Sequence, residues 1–161
     1  GHSMKKLVYI VRHAKAAEAE PDHERPLTFS GVERTIELSA TLLRHGCILD
    51  ALYASDSLRT RQTADTIAKA VGFPPERIVY DPALYLTTEV AYFNILVGLD
   101  EEVREVMIVG HNPEVSNLLH FFLPDFTSFM QTGACACLEF EAETWQSIFT
   151  APHQLKFYSK A

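Results

Sequence analysis

The chain has 161 residues, 47% apolar and 22% charged, the balance of an ordinary globular protein able to bury its own core. Its formal net charge of −7 excludes general affinity for nucleic acid or anionic membrane, so any phosphate chemistry must come from a local cluster of cations. No apolar run reaches membrane-spanning length, and three cysteines without a framework spacing point to a reducing, cytoplasmic setting.

Gly1–His2–Ser3 ahead of Met4 reads as an expression-tag remnant, with no signal peptide before the first apolar run. Residues 4–161 read as one domain, because no repeat, linker or low-complexity stretch divides them. Leu7–Val11 is an unbroken apolar row that stops at Arg12–His13, the pattern of a strand buried on both faces. The polar segment Ala14–Pro26 comes next as a loop over the sheet. Thr28 or Ser30 can cap a helix with apolar positions Val32, Ile36, Leu38, Leu42 and Leu43, ending near Gly46. Ile48–Ala54 is predicted as a strand, Leu58–Val71 as a helix closed by Gly72, and Ile78–Tyr80 as a brief strand. Glu89–Leu99 reads as a helix and Val106–Val109 as a buried strand. Pro113 suits the first turn of a helix running to about Phe122. Ala134–Phe140 and Leu155–Tyr158 alternate as late strands, forming a hairpin or an edge pair. Strand–helix alternation of this kind predicts a three-layer α/β/α sandwich with a mostly parallel central sheet.

Three strands then end in chemistry: Arg12–His13, Ser55 with Arg59 just beyond it, and His111. Ligands of open α/β sheets sit beyond the carboxyl ends of the strands, so these residues are expected to share one crevice. A guanidinium grips phosphate through a planar, permanently charged fork, and a neutral imidazole is a competent nucleophile at cellular pH. Helix starts at Leu58 and Pro113 would add backbone N–H groups.

The motifs Val11–Arg12–His13–Ala14–Lys15, Arg25–Pro26–Leu27–Thr28 with Gly31, Ser55–Asp56–Ser57–Leu58–Arg59–Thr60–Arg61–Gln62–Thr63 and Val109–Gly110–His111–Asn112–Pro113 resemble, in order, those of the histidine phosphatase superfamily. The short chain and the Arg-His-Ala-Lys form are similar to its SixA-type phosphohistidine phosphatase branch, and the phosphoglycerate mutase-like fold is implied. The resemblance implies His13 as the phosphoryl-accepting nucleophile, Arg12 and Arg59 as phosphate-binding guanidiniums, and His111 as the second imidazole contacting the transferred group. Arg25 stands in a matching stretch and is expected to bind substrate from the pocket rim, Lys15 is expected either near the phosphate or as an exposed lysine, and the resemblance calls for no metal or other cofactor. Phosphoryl transfer would proceed in two displacements, with His13 attacking through Nε2 while a backbone carbonyl holds Nδ1–H. The substrate is then a phosphorylated protein bearing phosphohistidine, or a small phosphorylated molecule.

Many members of the superfamily carry a Glu general acid near Pro82–Leu86, and here the aligned position is Leu86. A phosphoramidate needs that acid less than an alkyl ester does, which favours phosphohistidine. Asp22, Glu24, Glu89 and Glu114 are the carboxylates that could stand in. Two other readings compete: a phosphatase or mutase of small phosphomonoesters, and a phosphate-recognising module without turnover. Arg61 reads as a helix-face ion pair with Asp56 or Asp65, and Cys47, Cys135 and Cys137 as small, inert side chains. Phe121, Phe122, Phe126 and Phe129 read as core plus a loop lid.

Overall fold

The computed structural model describes residues 5–160, so Gly1–His2–Ser3 lies outside the described residues. Strands and helices alternate as β1 (Lys5–Arg12), α1 (Phe29–Arg44), β2 (Ala51–Ser55), α2 (Leu58–Val71), β3 (Val79–Asp81), α3 (Glu89–Val97), β4 (Glu105–Gly110) and α4 (Glu114–Phe122). Two strands, β5 (Cys135–Glu141) and β6 (His153–Ser159), complete one sheet of order β3-β2-β4-β1-β5-β6. The four strands on the β3 side run parallel; β5 is antiparallel to β1 and pairs antiparallel with β6. The expected late pair is therefore built onto the central strand, with β6 at the edge.

The pleat of β1 explains the three layers. Val8 and Ile10 enter a core with Tyr92 and Leu96 of α3 and Leu118 and Leu119 of α4. Tyr9 and Val11 point the other way, to Leu38 and Leu42 of α1 and Ala64 and Ile67 of α2. Alternation at period two thus gives each face of one strand its own helix pair. Full burial of such a side chain stabilises the fold by roughly 1.5–3 kcal/mol, so β1 is anchored from both sides. The turn after Arg12 therefore leaves the sheet from a fixed point.

Some elements depart from the sequence pattern. In α1 the residues Val32, Ile36 and Leu43 face solvent, and the buried stripe is Gly31, Thr35, Leu38, Ser39 and Leu42. Small side chains win that face because α1 packs closely on α2 and the loop after β1. Gly31 shows how closely, since a Cβ there would strike the backbone carbonyl of Lys15. Thr28 caps the helix by accepting from the Gly31 N–H at 3.0 Å, and its own N–H donates to Lys15 O at 2.9 Å. Strand β2 starts only at Ala51, as Ile48 is exposed. Helix α2 has the predicted bounds and closes at Gly72, φ 80°. Helix α4 begins at Glu114, with Pro113 as its cap residue.

Arg61 makes no ion pair with Asp56 or Asp65. It donates to the Asp56 backbone carbonyl at 2.8 Å and lies over the Tyr80 ring. Of the four phenylalanines, Phe122 is core and Phe126 packs partly against it, whereas Phe121 and Phe129 are exposed. The three cysteines are free and buried; burial pushes the Cys47 and Cys137 thiols up to about 12, so they stay protonated. No helix among the described residues is long and apolar enough to cross a membrane.

Candidate active site

The carboxyl ends of β1, β2 and β4 open into a cavity of about 370 Å³ whose walls include Arg12, His13, Arg59 and His111. The four residues expected at one crevice do meet there. Lys15 and Arg25 line the same cavity. Lys15 is exposed, and Arg25 sits at the rim, tied to Ala17 O at 2.9 Å and to Asp22 Oδ1 at 3.2 Å.

His13 is held by backbone on both sides. Its N–H donates to Gly110 O at 3.1 Å, and its carbonyl accepts from Gly133 N at 3.0 Å. Nδ1 lies 2.7 Å from the Ala14 carbonyl. Only a protonated Nδ1 can make that contact, because a carbonyl has nothing to donate. The lone pair of the neutral ring is therefore on Nε2. The His111 ring stands 5.3 Å away, centroid to centroid, with its Nε2 2.8 Å from Ser55 Oγ.

A residue that the sequence did not flag positions His111. The Tyr92 hydroxyl donates to Leu84 O at 2.9 Å and accepts from the His111 N–H at 3.2 Å. Its ring lies against Gly110, where any Cβ would collide with the phenol. The glycine before His111 thus makes room for the tyrosine that fixes the turn.

Arg12 and Arg59 join Lys15 and Arg25 as the cations of the site. Arg12 Nη1 donates to Met130 O at 3.1 Å, and Asn112 Nδ2 donates to the same carbonyl at 2.7 Å. Arg59, 6% exposed, gives Nη1 to Asp22 O at 2.9 Å and Nη2 to Asp22 Oδ2 at 3.1 Å. The Tyr85 hydroxyl donates to the same carboxylate oxygen at 2.6 Å. Hydrogen bonds from Tyr85, Arg59 and Arg25 hold Asp22 well below the usual carboxylate range, against a smaller opposing cost of burial. The Nε–H groups of Arg12 and Arg59 are both buried and without a partner. Orphaned charged donors cost free energy unless something accepts from them, so this pair marks an anion's place.

The field of these cations acts on the imidazoles. Burial, then His111, Arg59 and Arg12, push His13 down to about 3, although the Ala14 carbonyl pulls it up. Burial and Arg59 push His111 down to about 4. Arg12 is lowered as well, by burial and then by Arg59. Both rings are neutral at neutral pH, so each keeps a lone pair. The unfolded chain binds these protons near the ordinary imidazole value, the folded chain only far below it. Stability is consequently complete above about pH 6.5 and falls as pH drops towards 4, by up to about 1.4 kcal/mol per pH unit for each ring. Urea denaturation at about pH 6.5 and about pH 5 is expected to show that loss, and to show less of it in His111→Ala. An equal loss in both proteins contradicts the assignment.

Among the described residues, no group of three or more His, Cys, Asp or Glu side chains is arranged to hold a metal ion. Sequence reasoning named Asp22 only as a possible acid, and beyond Tyr85 and Tyr92 it missed Asn112 and Met130. Asn112 stands in the Gly-His-Asn-Pro motif without an assigned role, whereas the Met130 carbonyl carries no side-chain signal at all.

Lined by four cations and two imidazoles at the carboxyl ends of parallel strands, the cavity belongs to a phosphoglycerate mutase-like fold. The family model of the histidine phosphatase superfamily (branch 1) matches residues 8–85, the stretch that carries Arg12, His13 and Arg59, and the chain is similar to that superfamily there. Solved structures share the fold over nearly the whole chain. A protein described as phosphohistidine phosphatase SixA from Nakamurella multipartitia is 24% identical, with TM-score 0.81 over 96% of this chain and 95% of that one. One so described from Agrobacterium tumefaciens is 27% identical, with TM-score 0.77 over 97% and 98%. A protein histidine phosphatase SixA in complex with tungstate is 22% identical, with TM-score 0.82 over 96% of each. No curated protein sequence matches the chain.

Proposed function

We propose that the protein is a phosphohistidine phosphatase that works through a covalent phosphohistidine on His13 and draws its charge stabilisation from guanidiniums rather than a metal. One observation carries the reading: the Nδ1–H of His13 is committed to Ala14 O, which leaves Nε2 as the nucleophilic nitrogen beside two unpartnered Nε–H donors. In the first displacement the Nε2–P bond forms as the bond from phosphorus to the leaving nitrogen breaks. Arg12, Arg59 and His111 neutralise the non-bridging oxygens. Water then attacks phosphorus, and the pair of the N–P bond returns to His13. Tungstate, bound by one structure of this fold, is a tetrahedral oxyanion of the kind such a cavity accepts.

The choice of a protein-borne substrate is supported by the likeness to SixA structures and by the open mouth of the cavity. Leu86, at the position aligned with the acid of many superfamily members, is 84% exposed at that mouth. It adopts φ 53°, a left-handed conformation rare for a branched residue, and lines the cavity only at its solvent side. A phosphorylated side chain on a folded surface can therefore reach His13.

The test is a phosphorylated histidine peptide and phosphoglycerate offered separately, with radiolabel trapped at alkaline pH, where phosphohistidine survives. Label on His13 and a higher kcat/KM for the peptide are expected. Preference for phosphoglycerate would replace the substrate assignment, and the absence of label on His13 would remove the mechanism.

A further inference from the structure

We propose that the Glu114 carboxyl is the proton donor to the leaving group and takes a proton back from the attacking water, because it lines the His13 cavity from the first turn of α4 without an ion-pair partner. The inference rests on the reading that His13 is the nucleophile.

Four carboxylates are candidates by sequence, and the geometry separates them. Asp22 lines no wall of this cavity, and its carboxylate already accepts from Tyr85, Arg59 and Arg25. Bound in that way it is ionised and has no proton to give. Glu24 has an exposed side chain paired with His23 at 3.4 Å and opens on a separate surface hollow. Glu89 starts α3 and does not line the cavity. Glu114 does line it, together with His13, His111, Arg12 and Arg59, and is only 8% exposed.

Its surroundings favour the protonated form. Burial raises its carboxyl above the ordinary value and the neighbouring charge of Glu89 raises it further, while its own backbone N–H opposes them. None of the ion pairs among the described residues involves it. The other titratable group electrostatically coupled to it is Tyr92, whose phenol burial pushes well up and which is therefore neutral. Nothing on α3 or α4 thus supplies a cation that would hold the carboxylate ionised. The contrast with Asp22 matters here: environments that push two carboxyls of one site apart assign one as anion and the other as acid.

Placement agrees with that division. The phosphoryl group belongs beside the guanidinium Nε–H donors, so the remainder of the substrate extends towards solvent, past Leu86. Glu114 and Leu86 line that cavity together. The acid that the sequence lacks at Leu86 is thereby supplied from a different element. In the first step the Glu114 proton goes to the leaving nitrogen or oxygen as its bond to phosphorus breaks with the electron pair. In the second, water gives phosphorus its oxygen and Glu114 its proton, while His13 leaves as a neutral ring. A carboxylic acid in this place makes ester hydrolysis accessible as well, so the substrate range includes phosphomonoesters with poor leaving groups.

The experiment is a series of aryl phosphates with phenols of graded acidity, hydrolysed by the wild type and by Glu114→Gln, with the His13 phosphoenzyme trapped at alkaline pH. A proton donor flattens the dependence of kcat/KM on leaving-group acidity. Glu114→Gln is expected to steepen it, with the loss reaching about 10²-fold or more for phenyl phosphate and smallest for p-nitrophenyl phosphate. Glu114→Asp is expected to recover part of the loss. A uniform loss across the series, as a packing defect gives, overturns the proposal, and so does an unchanged slope. A wild type that never labels His13 overturns the underlying function instead, which keeps the two failures apart.

Discussion

The His13→Ala variant is expected to lose turnover by about 10⁶-fold, the scale of deleting a covalent nucleophile from a site whose members act as a unit. The cause lies in the ring's hydrogen bonding. Its Nδ1–H is held 2.7 Å from Ala14 O, so no rotation is needed to present Nε2. Neither neighbour can substitute: His111 Nε2 faces Ser55 Oγ, and the guanidiniums are always protonated. The variant is expected to fold, because β1 is anchored by Val8, Tyr9, Ile10 and Val11 rather than by the imidazole. Arg12 and Arg59 stay in place, so inorganic phosphate should still raise its melting temperature. Steady-state rates with thermal denaturation check both halves. Full activity in the variant defeats the mechanism.

Arg59→Ala is expected to reduce kcat/KM by about 10²–10³-fold, equivalent to about 2.7–4 kcal/mol of transition-state stabilisation. Arg59 is buried in the wall of the cavity, keeps an unpartnered Nε–H, and uses both other nitrogens on Asp22. Lysine offers a single point of charge and cannot both hold that turn and donate inwards. Arg59→Lys should accordingly recover less than a tenth of the lost activity. A loss under twofold for Arg59→Ala, measured as kcat/KM, shows that another cation carries the phosphate.

Where sequence reasoning succeeded and where it stopped has a physical basis. Arg12, His13 and His111 are legible because a buried parallel strand has a sharp end where residues face the crevice, and Arg59 because it stands in the first turn of the helix that follows such an end. Helix α2 is legible because its cap and its closing glycine lie within the segment itself. Val32, Ile36 and Leu43 misled, since apolar character alone does not say which helical face meets a neighbour. The partners of the site were hidden for a different reason. Tyr92 reaches His111 across 19 residues, and the Met130 carbonyl reaches Arg12 across 118. Such contacts exist only after folding, and a carbonyl is common to every residue. The segment that said least in sequence, beyond Leu123, supplies that carbonyl.

The two idle Nε–H groups also set a rule about what the protein will turn away. Each must be met by an oxygen, and the four cations along the walls, only partly offset by the Asp22 carboxylate, favour a visitor that brings two negatives over one that brings fewer. A sulfate ester has the same shape as its phosphate counterpart but brings one. Selection between the two is then made by charge alone, at the floor of the pocket, before any bond is strained.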